Sequence, residues 1–105
     1  MMKLSALYTP PADPAAFDEH YVAVHVPLAA AMPGLLRMET ARGIGTPDGS
    51  PAPYSRTADL YFASSEAIAA AFASDEGRAT ARDAGQLAKR TGSTLTLMIS
   101  EVDEA

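Results

Sequence analysis

The run Phe17-Asp18-Glu19-His20-Tyr21-Val22-Ala23-Val24-His25-Val26-Pro27-Leu28 constrains this chain most. Phe17, Tyr21, Val24, His25 and Leu28 recur at helical spacing and form one stripe of an amphipathic helix, and such a stripe must be buried against another layer. Asp13 is a good N-cap, and Pro14 follows at the first helical position, where its missing N–H costs nothing. Pro33-Gly34 stops the helix, so the sequence predicts it over about Pro14 to Met32. Pro27 cannot donate to the carbonyl of Ala23, and a bend is expected there. Tyr21 and His25 lie one turn apart on the buried side, where side chains four apart are neighbours.

The other segments fix what that helix packs on. Lys3 to Tyr8 is short and bounded by prolines, as a strand would be. Leu35 to Ile44 and Tyr54 to Phe62 alternate apolar and polar residues, with the Pro/Gly-rich stretch Thr46 to Pro53 as the loop between them. Ser64-Ser65-Glu66 opens an alanine-rich helix, Ser74-Asp75-Glu76 starts a second helical piece, and Gly92 precedes a last strand over Thr94 to Val102. The order β, α, β, β, α, β is that of the split βαβ, an α+β ferredoxin-like fold with a four-stranded antiparallel sheet and the helices on one face. At 105 residues the chain fits one domain spanning 1–105.

In the last strand Leu95, Leu97 and Ile99 share one face, assigned to the helices, and Thr94, Thr96, Met98 and Ser100 share the other. That second face is too apolar to be fully wet and too polar for a dry core. It reads as a ligand cavity or a sheet-to-sheet dimer interface. On the third strand Tyr61, Asp59 and Thr57 fall on the same open face, so Tyr61, Asp59, Met98 and Thr96 are the candidate substrate-binding residues. Arg56 falls with Leu60 and Phe62 on the helix face and is expected to snorkel from the strand end. The parity of the second strand leaves Arg37 unassigned.

Composition excludes several classes of function. A formal net charge of −5, with eight scattered Lys and Arg, argues against nucleic acid or an anionic membrane surface as partner. No run approaches a membrane span, and the expected location is the cytoplasm. With no cysteine, disulfides, thiolate metal sites and a cysteine nucleophile fall away together. Gly43-Ile44-Gly45 with Gly49 precedes a strand rather than a helix, so it is no dinucleotide fingerprint. His20 and His25 are five apart, not the three or four that aim two ligands at one ion on an α-helix, and His20 is expected on the surface. No cofactor is implied.

Ala6-Leu7-Tyr8, Phe17-Asp18 through Tyr21, His25-Val26-Pro27-Leu28, Pro33-Gly34-Leu35, Pro53-Tyr54 to Leu60-Tyr61-Phe62 and Ile99-Ser100-Glu101-Val102 together resemble the EthD family. The resemblance implies a dimeric α+β barrel, a homodimer with opposed sheets and a pocket between each sheet and its own helices or the partner's edge. Two departures are His20-Tyr21, where the family commonly has adjacent aromatic residues, and Arg90-Thr91-Gly92, where a glycine pair is usual. The superfamily holds isomerases, cyclases, dehydratases, decarboxylases and cofactor-free monooxygenases, so the resemblance implies fold more firmly than function.

His25 and Tyr21 are the catalytic candidates. A buried imidazole needs a hydrogen-bond partner or a cavity to face, and a neutral histidine moves protons near pH 7 while a tyrosine orients a substrate oxygen. Such a pair suits isomerisation, cyclisation, dehydration or decarboxylation of a small, partly apolar oxygenated molecule. Two other readings stay open: a non-catalytic ligand-binding or accessory protein, and a purely structural role in which His25 and Tyr21 hold helix to sheet.

Overall fold

Strand β1 (Met2–Tyr8) leads into α1 (Pro14–His20), a π-helical turn (Tyr21–His25) and α2 (Val26–Ala30) in the computed structural model, which describes residues 1–104. Strands β2 (Arg37–Arg42) and β3 (Arg56–Phe62) follow, then α3 (Ser65–Ala73), α4 (Asp75–Thr91) and β4 (Leu95–Glu101). All pairings are antiparallel and the strand order is β2-β3-β1-β4, the ferredoxin-like arrangement the element order predicts. No helix among the described residues is long and apolar enough to cross a membrane.

Cross-strand partners share a face, so the register sorts every strand residue. Leu4 pairs with Leu60 and Ile99, Ala6 with Ala58 and Leu97, and Tyr8 with Arg56 and Leu95. These residues face the helices, and Leu4, Ala6, Tyr8, Ala58, Leu60 and Phe62 are buried there with Phe17, Tyr21, Ile68 and Leu87. The aliphatic face of β4 is therefore the helix face, as expected. Because β4 is an edge strand that the helices cover incompletely, Leu97 and Ile99 are still about half exposed, at 54% and 55%. The open face carries Lys3, Ser5, Asp59, Tyr61, Thr96 and Met98.

Local chemistry sets the helix ends. The Asp13 carboxylate accepts from Ala16 N–H at 3.1 Å, and Ser74 Oγ accepts from Gly77 N–H at 3.0 Å to start α4. Gly92 ends α4 with φ 76°, a left-handed cap that glycine adopts without penalty. The predicted single helix over Pro14 to Met32 is interrupted: the Val26 N–H donates to the Tyr21 carbonyl, five residues back. Pro27 supplies the reason. Its ring clashes with a regular i−4 carbonyl, and widening the preceding turn relieves that clash. The expected bend is thus a π-turn, and it changes which side chains line up.

Candidate functional site

The widened turn stacks aromatic rings in a column. Phe17 lies on Tyr21 with centroids 5.4 Å apart, and Tyr21 lies on the imidazole of His25 at 5.6 Å. Tyr8 rises from β1 and meets all three edge-on, at 5.1, 5.7 and 6.4 Å. Phe17, Tyr21 and Tyr8 are at most 1% exposed. Each such ring stabilises the layer contact by roughly 1.5–3 kcal/mol of apolar burial, and the edge-on geometry adds to it. The guanidinium of Arg56 lies 5.2 Å from the Tyr21 ring and its Nε–H donates to Asp18 Oδ1 at 3.2 Å, while Arg42 donates to Asp18 Oδ2 at 3.0 Å. Arg56 stands at the strand end as expected, but it does not snorkel. Its side chain is 12% exposed and is held by Asp18 and the Tyr21 ring.

His25 is 7% exposed, and its two ring nitrogens are held unequally. A carboxylate only accepts, so His25 Nδ1–H donates to Asp83 Oδ2 at 2.9 Å and the lone pair stays on Nε2. The Tyr8 hydroxyl approaches that nitrogen at 3.5 Å, beyond the range of a good hydrogen bond. Burial pushes the basicity of His25 below the usual histidine value, and the hydrogen bond and charge of Asp83 oppose it. Burial also raises Tyr8 and Tyr21, so both phenols stay protonated.

His20 is not the free surface residue that was expected. Its Nε2–H donates to Asp83 Oδ1 at 2.7 Å, and its side chain is 23% exposed. On an α-helix, residues five apart diverge; here the i→i+5 bonding of the π-turn brings His20 and His25 to one carboxylate. Asp83 and Tyr8 were missed by sequence reasoning, although a signal existed for both. Asp83 sits four residues before the buried Leu87 and three after the buried Thr80, on the buried stripe of α4. Tyr8 continues the Leu4, Ala6 alternation of β1. Among the described residues no group of three or more His, Cys, Asp or Glu is arranged to hold a metal ion.

Between the helix face of the sheet, the π-turn, α2 and α4 lies a cavity of about 70 Å³. Tyr8, Tyr21, His25, Thr40 and Thr80 supply its polar atoms, alanines and aliphatic side chains supply the rest, and no charged side chain lines it. The structure therefore brings Tyr21 and His25 to one cavity. It does not bring Tyr61, Asp59, Thr96 or Met98 there: all four stand on the opposite face of the sheet. A cavity on that face needs a second layer over it, whereas the cavity that holds Tyr21 and His25 arises on the helix face because Ala6, Ala29, Ala58, Ala81 and Ala84 leave space. Asp59 instead accepts from Ser5 Oγ at 2.5 Å, and Tyr61 O–H donates to Glu39 at 3.0 Å.

Residues 9–91 match the EthD domain family model. A Rhodococcus erythropolis protein, described as an uncharacterised 11.0 kDa protein in the thcB-thcC intergenic region, is 41% identical over 88 residues, 84% of each chain. The crystal structure of an ethyl tert-butyl ether d (EthD) family protein from Bacillus halodurans superposes with a TM-score of 0.90 at 40% identity, over 98% of this chain and 99% of that one. SnoaB from Streptomyces nogalater, described as a cofactor-independent oxygenase, shares the fold alone: its TM-score is 0.67 at 17% identity, over 99% and 94% of the two chains. The family match, the two relatives near 40% identity and the ferredoxin-like topology agree, and the chain belongs to the EthD family.

Proposed function

We propose that this EthD-family protein binds a small, uncharged, partly apolar oxygenated molecule in the helix-face cavity and moves a proton on it with His25. The observation that carries the reading is the unequal hydrogen bonding of His25, which lines a mostly apolar cavity: Nδ1–H is fixed on Asp83 at 2.9 Å, whereas Nε2 has only the long 3.5 Å contact to the Tyr8 hydroxyl. A neutral imidazole so held is a general base, and the imidazolium it becomes is stabilised by the Asp83 carboxylate. Tyr21, and with it Tyr8, supplies phenolic O–H donors that orient a carbonyl or hydroxyl oxygen. Returning the proton to another atom gives an isomerisation or cyclisation. Delivering it to a leaving hydroxyl gives a dehydration.

The absence of a cationic lining and the net charge of −5 favour an uncharged group inside. At about 70 Å³ the cavity is roughly half the size of the ~150 Å³ apolar cavity that accepts benzene, so it takes the reacting end of a ligand rather than the whole of it. On this reading the open face, with Tyr61, Asp59, Thr96 and Met98, meets a second copy of the chain in a homodimer. The mostly apolar lining also favours a second reading, a non-catalytic ligand-binding or accessory protein.

Native mass spectrometry of the purified protein and of His25→Gln, matched for melting temperature, tests this. A ligand that co-purifies with both and is chemically altered only by the wild type supports the enzyme. A ligand unchanged by either protein supports the binding reading, and an empty cavity in both, or a variant that unfolds, leaves His25 a structural residue.

A further inference from the structure

The cavity accounts for His25, but not for the second histidine that shares its carboxylate. Asp83 accepts from His25 Nδ1–H at 2.9 Å through Oδ2 and from His20 Nε2–H at 2.7 Å through Oδ1. The two histidines converge because the turn between them is π-helical, with the Val26 N–H bonded to the Tyr21 carbonyl. A regular helix would turn His20 roughly 100° further round than a four-residue spacing does and leave Asp83 with one partner. We infer that His20 is a positioning residue of the site: it locks the Asp83 carboxylate in the rotamer that fixes the proton of His25 on Nδ1, so that Nε2 faces the cavity unprotonated. This rests on the proposed role of His25 but is read from the free protein.

The geometry gives the reason. A carboxylate on a helix rotates about two bonds, and with one partner it can present either oxygen or swing toward water; Asp83 is 15% exposed at its side chain, so water is within reach. Two donors on its two oxygens define the plane of the group. His20 is the outer of the two, at 23% exposed against 9% for the His25 side chain. A positive charge on His20 would also lower the basicity of the inner ring.

Histidine side-chain 15N NMR on the free protein tests the inference without any substrate. In the wild type, His25 should show a protonated Nδ1 and an unprotonated Nε2. His20→Ala should turn the single tautomer into a mixture, and His20→Gln, whose side-chain amide still donates, should restore it. Asp83→Asn serves as the reference for complete loss of the carboxylate. A His25 tautomer unchanged in His20→Ala overturns the inference. So does a wild-type His25 that carries its proton on Nε2, a result that needs no variant and stands even where His20→Ala fails to fold. A protein that shows the predicted tautomer but neither binds nor alters a ligand refutes the proposed function and leaves the positioning role standing.

Discussion

Asp83→Ala is the sharpest test of the site as a physical object. The substitution strips the acceptor from His25 Nδ1–H, on a side chain 9% exposed, and an unpaired buried donor costs about 1–3 kcal/mol. The His20 arm is 23% exposed, so water replaces the lost partner and the loss there is about 0–1 kcal/mol. The total expected is about 1–4 kcal/mol, or a melting temperature lower by roughly 5–30 °C in a domain of this size. Asp83→Asn keeps an oxygen for Nδ1–H and loses the charge, so it should cost about 1 kcal/mol. The apportioning experiment is a double-mutant cycle with His25→Phe, which removes the donor and preserves the ring stack on Tyr21. In that background Asp83→Ala should cost at most about 1 kcal/mol, giving a coupling of about 1–3 kcal/mol. Urea unfolding followed by tyrosine fluorescence reads all four proteins, since the chain has four tyrosines and no tryptophan. A coupling below about 0.5 kcal/mol, the usual error of additivity, would refute the claim that Asp83 acts through His25.

Stability should also depend on pH through His25. Its folded value lies below the unfolded value of 6.5, so the unfolded chain binds more protons just below that pH. Stability from this residue is thus fully present above about pH 6.5 and falls as pH drops below it, by at most about 1.4 kcal/mol per pH unit. The difference in urea midpoint between wild type and His25→Phe should shrink or invert below pH 6.5; a constant difference would contradict the burial argument. At the α3–α4 corner, a Cβ on Gly77 would stand 2.0 Å from the Ala71 carbonyl oxygen and 2.6 Å from the Phe72 Cα. Both are backbone atoms that cannot swing aside, so Gly77→Ala should lose about 1–3 kcal/mol or more, and an unchanged urea midpoint would count against it.

The sheet was legible because alternation is a local signal. Leu95, Leu97 and Ile99 against Thr96 and Met98, or Leu60 and Phe62 against Asp59 and Tyr61, assign faces without knowledge of any partner strand. Helix starts were legible for a similar reason: Asp13-Pro14 and Ser74 announce themselves in their own few residues. What escaped depends on contacts distant in sequence. Pro27 signals an irregular turn, but nothing in the residue types says that the irregularity is one widened turn, or that it aims His20 at a carboxylate 63 positions away. Asp83 was readable in principle from its phase with Thr80 and Leu87, but a lone acid in a helix carrying Asp75, Glu76, Arg78 and Arg82 looks like solvated surface. Tyr61, Asp59, Thr96 and Met98 were placed on the correct face, and yet the cavity lies behind the sheet. Volume is set by absent atoms, and five alanines from four elements make the hole together.

Why chemistry belongs behind the sheet rather than on it follows from which polar groups still have something to give. On the open face the groups satisfy one another: Ser5 donates to Asp59, Lys3 lies 3.7 Å from the same carboxylate, Tyr61 donates to Glu39, and Arg37 donates to Glu39 at 2.6 Å. A ligand there must break pairs that water already screens, with little gained per contact. In the cavity, by contrast, the two nitrogens of His25 are treated unequally. One is bound to a carboxylate, and the other has a single contact of 3.5 Å in surroundings where a full hydrogen bond is worth more than in water. A ligand hydroxyl or acidic C–H brought to Nε2 would gain a hydrogen bond at the expense only of the weak approach of Tyr8. On the proposed function, that asymmetry is why His25 rather than the open face would carry the proton transfer.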